Sequence, residues 1–501
     1  MSRSSILSDT ASTAEMNPPP PILLRNGTVV TCTAGQRQPV HFVADVLVQD
    51  SIIVSITRKG HTSVPVPSDC KIIDATDKLI CPGFVDTHRH VWEAAYKWMG
   101  DWTLSEYVAK CIMLLPPLIQ KDDAHSSQLL GCLEALNAGI TSIVDHSHLT
   151  TSAGMVDSIL DATRKSGIRS FFCYTRWDEF PSGEIRKAWQ MKQLTDIATH
   201  GTGSDRITLG IGIDGSTEEF FTEMRDEIWP FLNEHKIDII STHYVGGLSL
   251  VGPDAVNQFS SRGLLDRPIL FVHCNPLSPE DCELIRNSES GISSTPEIEL
   301  AMAHGDPVAM AADAEGLRVG LGVDCSSCIS GDMFSVMRFA LQHQRGMDNS
   351  RLSKVGKLSL EQKHRAGDVF RLATIGGAKA IRREKIIGSI EVGKKADILI
   401  IDTLTPSMLG AEVDPAQAIV LHATPADISM VFVDGEMVVN KIQSHSSGVF
   451  TRLNWNDVVR RMQESTRRVR GRMANWKSAE DGKYAEWQKM ANLPVIPVDQ
   501  Y

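Results

Sequence analysis

The chain has no apolar run of 18 residues and no basic stretch leading into an apolar one. Neither a membrane span nor a secretory signal is expected. Positive charge is not in excess either. The 50 Lys and Arg face 61 Asp and Glu, for a formal charge of −11. That is the wrong sign for a general binder of nucleic acid or anionic membranes. Cysteine is thin: ten residues, scattered, without the spacing of a small secreted domain. Cys132, Cys173 and Cys274 lie inside apolar runs and read as buried thiols. Cys325 and Cys328 form a CxxC, but no second pair completes a zinc knuckle. A reduced, cytosolic location is the default expectation.

What is present gathers at Cys81 to His90, CPGFVDTHRH. A short apolar strand, Cys81 to Val85, ends in a polar burst. Residues two apart on a strand point to the same side. His88 and His90 can therefore face one point, a half-site for zinc or a similar divalent ion. Alone, the pair could equally be one hydrogen-bonded core histidine and one solvated one.

At 501 residues the chain is too long for one simple core. Residues 1–21, rich in Ser, Thr and Pro, read as a disordered tail. LLRNGTVVTC, FVADVLVQDSIIVSI and CKIIDATDKLIC are β-branched runs broken by Asn-Gly and Gln-Asp turns. A matching set returns at GSIEVGKKADILIID and DISMVFVDGEMVV, the latter with an Asp434–Gly435 hairpin. Residues 22–80 and 384–450 are thus expected to build one small β-sandwich from both ends. Residues 81–383 alternate strands and helices, which predicts a parallel (β/α)8 barrel of TIM type. The strands are expected at Cys81–Val85, Ile140–Val144, Ile168–Tyr174, Ile207–Ile213, Asp238–Ser241, Pro268–Val272, Gly291–Thr295 and Arg318–Val323. Residues 451–501 carry Trp455, Val458, Met462, Val469, Met473 and Trp476 at helical spacing. They predict an amphipathic helix docked on the body or at a subunit contact, and a homo-oligomer, in the first instance a dimer.

In such barrels the chemistry sits at the C-terminal strand ends. Strand one is followed by His88 and His90, and strand two by Asp145, His146 and His148. Strand five leads to His243, strand six to His273 and strand eight to Asp324. Packing alone does not explain such a set, and a metal would satisfy it at once. Strand four ends in Asp214 without a lysine to bridge a second ion, so one divalent ion is expected.

These features resemble the amidohydrolase superfamily, in particular its triazine hydrolase, cytosine deaminase and guanine deaminase branch. CPGFVDTHRH, GLLDRPILFVHCNPLSPED, VGLGVD and IGSIEVGKKADILIID carry the likeness, which spans about residues 22–440. The resemblance implies metal ligands His88, His90, His243 and Asp324, with His273 beside the metal. Zinc leads, with iron or manganese as alternatives. Asp324 would take a proton from the metal's water and pass it to a leaving nitrogen, while His273 polarises the group attacked.

One position departs from the family pattern. The branch usually carries HxxE after strand five, and here Gly246 stands in the acid's place. Glu297, Glu299, His304 and the His146/His148 pair are the candidate substitutes, with Glu297 and His304 foremost as catalytic groups. Trp92, Tyr96, Trp98 and Trp102 after strand one, and Trp177 and Phe180 after strand three, suggest a flat or apolar small molecule. Trp92, Trp98, Trp177, His146 and His148 are the expected substrate contacts. Packing of loops onto the barrel is the plainer reading for about half of the aromatics. Three functions are open: hydrolysis of a non-peptide C–N bond (amide, lactam or amidine), a metal-dependent decarboxylation, and a non-catalytic assembly role.

Overall fold

The computed structural model describes residues 20–61, 65–176, 183–246, 254–442, 449–473 and 482. The expected tail up to residue 19, and Trp177, Phe180 and Trp476, lie outside the described residues. Five strands come first: β1 (Ile22–Thr31), β2 (Val40–Gln49), β3 (Ile52–Arg58), β4 (Lys71–Asp74) and β5 (Lys78–Pro82). The β2–β3 turn holds Asp50 and Ser51 at φ 49° and 70°, the left-handed pair that a tight hairpin needs. Asn26–Gly27 is not a turn. β1 runs through it with a bulge, and β5 lies so close that a side chain at Gly27 would collide with Ile80.

Eight parallel strands follow in spatial order: β6 (Phe84–Arg89), β7 (Ile140–Ser147), β8 (Arg169–Thr175), β9 (Ile207–Gly212), β10 (Ile240–Val245), β11 (Leu270–Asn275), β12 (Gly291–Ser294) and β13 (Arg318–Leu321). A parallel bridge between Arg89 and Asp324 closes the ring. Asp324 N donates to His88 O at 2.8 Å, and His90 N donates to Asp324 O at 3.3 Å. The fold is a TIM-like (β/α)8 barrel. The first strand differs from expectation. Cys81 and Pro82 end β5 in the other sheet, and the chain changes sheets at Gly83. A continuous apolar run hides that handover, since both sheets bury it. Gly83 also packs so tightly on Thr141 that no side chain fits there.

The chain then returns through β14 (Ile398–Asp402), β15 (Ile428–Val433) and β16 (Glu436–Asn440). β14 pairs antiparallel with β5, which joins the two chain ends in one sheet of order β16-β15-β14-β5-β1-β2-β3. The sheet folds over as a small sandwich. Leu24, Val46, Ile53, Ile80, Ile398 and Phe432 form one apolar cluster inside it, and Ile53 N reaches back to Lys394 O at 2.9 Å.

The helix Trp455–Arg472 docks on the helix Lys121–Asn137. Its Val458 and Val469 are buried. Its basic face is partly spent on one buried carboxylate. Ser465 Oγ (2.8 Å), Arg468 (2.7 Å) and Arg472 (2.7 Å) all donate to Asp123. Burial alone would raise the Asp123 pKa. The hydrogen bonds from Arg472, Ser465 and Arg468 outweigh it and hold the carboxyl below its ordinary value. This contribution is therefore present above about pH 4, the unfolded value, and is lost as pH falls through the folded one. Asp123→Ala should destabilise the protein by about 1–3 kcal/mol, read as a lower urea midpoint. An unchanged midpoint would mean the helix is held by its apolar face alone.

Candidate metal centre and its cavity

Strand geometry sets the centre. His88 lies within β6 and His90 one residue past its end, so both rings point into the barrel mouth. His243 is on β10, His273 on β11, and Asp324 follows β13. His273 and Asp324 hold φ at 72° and 69°. Such left-handed non-glycine positions persist only where the surroundings enforce them, commonly at functional sites.

The ligating atoms converge. His88 Nε2 lies 3.2 Å from His243 Nε2 and 3.5 Å from Asp324 Oδ1. His90 Nε2 lies 3.3 Å from the same oxygen. Zinc–nitrogen bonds in a tetrahedron put neighbouring ligands about 3.3 Å apart. Two imidazole nitrogens facing each other also need a shared cation or proton between them. On spacing and donor chemistry these four side chains fit a divalent ion. The far ring nitrogens of His90 and His243 support the same assignment. His90 Nδ1 faces His146 O at 2.8 Å, and His243 Nδ1 faces the Asp214 carboxylate at 3.1 Å. Each such contact leaves Nε2 with its lone pair free.

Beside the centre, His273 Nε2 lies 3.7 Å from Asp324 Oδ2, and its Nδ1 lies 3.0 Å from Thr295 Oγ1. Burial pushes the His273 pKa down to about 3, so the ring is neutral at pH 7. Glu299 sits behind it, with Oε1 at 3.5 Å from His273 Nδ1. Glu299 is fully buried, and burial raises it to about 8 against the hydrogen bonds from Thr295 and Ser294. It is a protonated acid at neutral pH.

These groups form one side of a small cavity of about 70 Å³, concave and mostly apolar as small-molecule sites are. The opposite wall is apolar: Leu104, Tyr107, Val108, Ile112, Ile298 and Met302. His304 also lines it, ring edge against His273 at 4.4 Å between centroids. His148 stacks on His90 at 4.0 Å and reaches the cavity.

Several expected site residues lie elsewhere. Glu297 is half-buried beside Ser330 and Asp332 and does not line the cavity. It shares the short helix Pro296–Ala301 with Glu299. Two residues along a helix differ by about 200°, so only one of them faces inward, and it is Glu299. Trp92 is a core residue, fully buried against Tyr96 at 5.6 Å. Trp98 is exposed under Arg470 of the C-terminal helix. His146 points its ring at Asp214 and Ser241 and not into the cavity. Sequence reasoning missed Tyr107 and its helix as the apolar wall, and it noted Asp214 only for not being lysine. An acid at a strand end, like Asp324, was the available signal.

Gly246 is closed to any side chain. Its N–H donates to Asn275 O at 2.7 Å, and a Cβ there would sit 2.7 Å from Pro276 Cδ. Gly246→Glu should therefore fail to install an acid in the cavity and should lower stability by about 1–3 kcal/mol, measured by thermal or urea unfolding. A stable variant with altered pH dependence of turnover would show that the strand end can reopen.

A model of the amidohydrolase family matches residues 79–438. A 5-methylthioadenosine/S-adenosylhomocysteine deaminase of Desulforudis audaxviator is 26% identical over 436 residues, 83% of this chain and 93% of that protein. An adenosine deaminase of Xanthomonas campestris with bound zinc aligns with a TM-score of 0.75 at 18% identity, covering 91% of this chain and 99% of that one. An atrazine chlorohydrolase of Arthrobacter aurescens, complexed with zinc and atraton, gives 0.73 at 19% identity, over 89% and 100%.

Proposed function

The chain belongs to the amidohydrolase family, and from that premise we propose that it hydrolyses a non-peptide C–N bond of a small, largely apolar aromatic or heterocyclic molecule with one divalent ion. The observation that carries this reading is the convergence of ligand atoms from His88, His90 and His243 within 4.8 Å of one another, with Asp324 Oδ1 at 3.5 and 3.3 Å from His88 and His90, in a cavity lined largely by apolar side chains. Zinc suits three imidazoles and a carboxylate, and iron and manganese are compatible with the same donors. When bound, the ion lowers the pKa of a water from about 15.7 toward 7 and so supplies hydroxide at neutral pH.

The side chains do the rest. Asp324 accepts the water's proton and delivers it to the leaving nitrogen. His273 is neutral, with Nδ1 3.0 Å from Thr295 Oγ1 and Nε2 3.7 Å from Asp324 Oδ2, beside the group under attack. It stabilises the charge that develops there. Glu299 keeps a proton behind His273. His304 offers one N–H and one lone pair at the cavity wall. The leucine, valine, isoleucine and methionine side chains favour an apolar ring and exclude water from it.

The relatives are named as deaminases of adenosine analogues, and amidine hydrolysis of that kind falls within the proposed class. The test is a panel of amides, lactams and amino-heterocycles offered to the zinc-loaded protein, with products weighed by mass spectrometry. Gain of water, or exchange of an amine for oxygen, supports the reading. Loss of carbon dioxide from an aromatic acid would replace it with a decarboxylase.

A further inference from the structure

We propose that His146 and Asp214 are positioning residues of the metal centre, forming with Ser241 a buried chain that fixes two of the three metal histidines. This rests on the metal reading of the preceding subsection and assigns work to residues outside the ligand set.

Asp214 Oδ1 accepts from the His243 backbone N–H at 2.9 Å and lies 3.1 Å from His243 Nδ1. Its Oδ2 lies 3.0 Å from His146 Nε2. The far nitrogen of His146 lies 3.2 Å from Ser241 Oγ on β10. The carbonyl of His146, meanwhile, faces His90 Nδ1 at 2.8 Å. One residue of β7 therefore touches both sides of the centre: His90 through its backbone, and His243 through its ring and Asp214.

One tautomer set fits these contacts. A neutral imidazole has one donor and one acceptor. His243 Nδ1 and His146 Nε2 both face a carboxylate, so both carry the proton. His146 Nδ1 then accepts from the Ser241 hydroxyl. His90 Nδ1 faces a carbonyl, so it too carries the proton. In this arrangement His90 and His243 both present Nε2 lone pairs toward the centre, and His146 Nε2 sits 3.0 Å from Asp214 Oδ2 as an ion-pair contact.

A separate feature shows that the ring position is built. Gly212, at the end of β9, leaves a notch for the His146 ring. A Cβ at Gly212 would lie 2.6 Å from Thr175 Oγ1 and 2.9 Å from His146 Cε1 and Nε2.

A competing arrangement is a second ion held by His146, Asp214 and His243, whose ligand atoms lie within 4.8 Å of one another. The experiment separates the two. Zinc stoichiometry and affinity are measured by chelator competition on the full chain, together with the visible spectrum of the cobalt(II)-loaded protein. Wild type should bind one equivalent. Asp214→Asn should still bind one, about 10–100-fold more weakly, with an altered cobalt spectrum. Gly212→Ala keeps every donor but crowds Thr175 and the His146 ring, so it should move the same readouts in the same direction by a smaller factor. It stands in if Asp214→Asn does not fold. His146→Gln, which can still donate to Asp214, should recover part of what His146→Ala loses.

Affinity within threefold of wild type and an unchanged spectrum in the folded variants would overturn the proposal. So would two equivalents in wild type falling to one in Asp214→Asn. A wild-type chain that binds no metal would sink the proposed function itself, a result distinct from either of these.

Discussion

Asp324→Asn should abolish turnover, by about 10⁴-fold or more in kcat, in a protein that still folds. The size follows from two roles meeting in one side chain. Oδ1 lies between His88 and His90 at 3.5 and 3.3 Å, where it would complete the proposed ligand set. Oδ2 faces His273 and Thr295, where in the proposed reaction it would take and return the proton. Burial alone would raise the Asp324 pKa. The imidazoles of His88 and His90 beside it outweigh burial and hold the carboxyl well below the usual range, so the base is ionised at any working pH. Loss of one general base accounts for about 10²–10⁴, and weakened metal binding multiplies it. Folding should survive, because the barrel-closing hydrogen bonds at this residue use its backbone N–H and C=O. Asn keeps the shape and the capacity for φ near 69°. Steady-state kinetics with zinc in excess, beside a circular dichroism melt, check this. More than a tenth of wild-type kcat would remove Asp324 from the proton path.

The barrel and the imidazoles of the centre were legible because both follow from simple periods. Alternation of apolar strands with helical patterns predicted eight strands, and each forms within a few residues of its place. The period-2 rule alone puts His88 and His90 on one side. What the sequence hides is angular and long-range. Glu297 and Glu299 look alike in STPEIE, and only the helix Pro296–Ala301 turns one of them inward. Trp92 and Trp98 sit in the same mouth segment, yet one fills the core and the other meets a helix more than 350 residues later in the chain. Asp214 reads as a strand end without a lysine, and its meaning depends on His146 and His243 from two other strands. The switch from one sheet to the other at Gly83 is masked because both sheets are apolar there.

His304→Ala should lower kcat by about 10²–10⁴-fold with zinc content unchanged, while Glu297→Gln stays within a few-fold of wild type. The contrast rests on where each side chain ends. His304 is buried, lines the cavity, and is placed by its backbone N–H donating to Glu299 O at 3.1 Å. Neither of its ring nitrogens has a hydrogen-bond partner among the described residues. A buried polar atom left unpaired costs about 1–3 kcal/mol, and native sites that keep one commonly satisfy it with a ligand. Burial pushes its pKa well below 6.5, so the ring is neutral at pH 7 and meets substrate as donor and acceptor, not as a charge. Two consequences follow that a merely structural histidine would not produce. The ligand-free variant should melt no lower than wild type, because an unpaired group has been removed. The loss should also appear in kcat, since proton traffic to the leaving nitrogen is a transition-state interaction. A rise in KM with kcat intact would make His304 a substrate contact only. A variant with full activity would leave Asp324 and His273 as the proton carriers of this site.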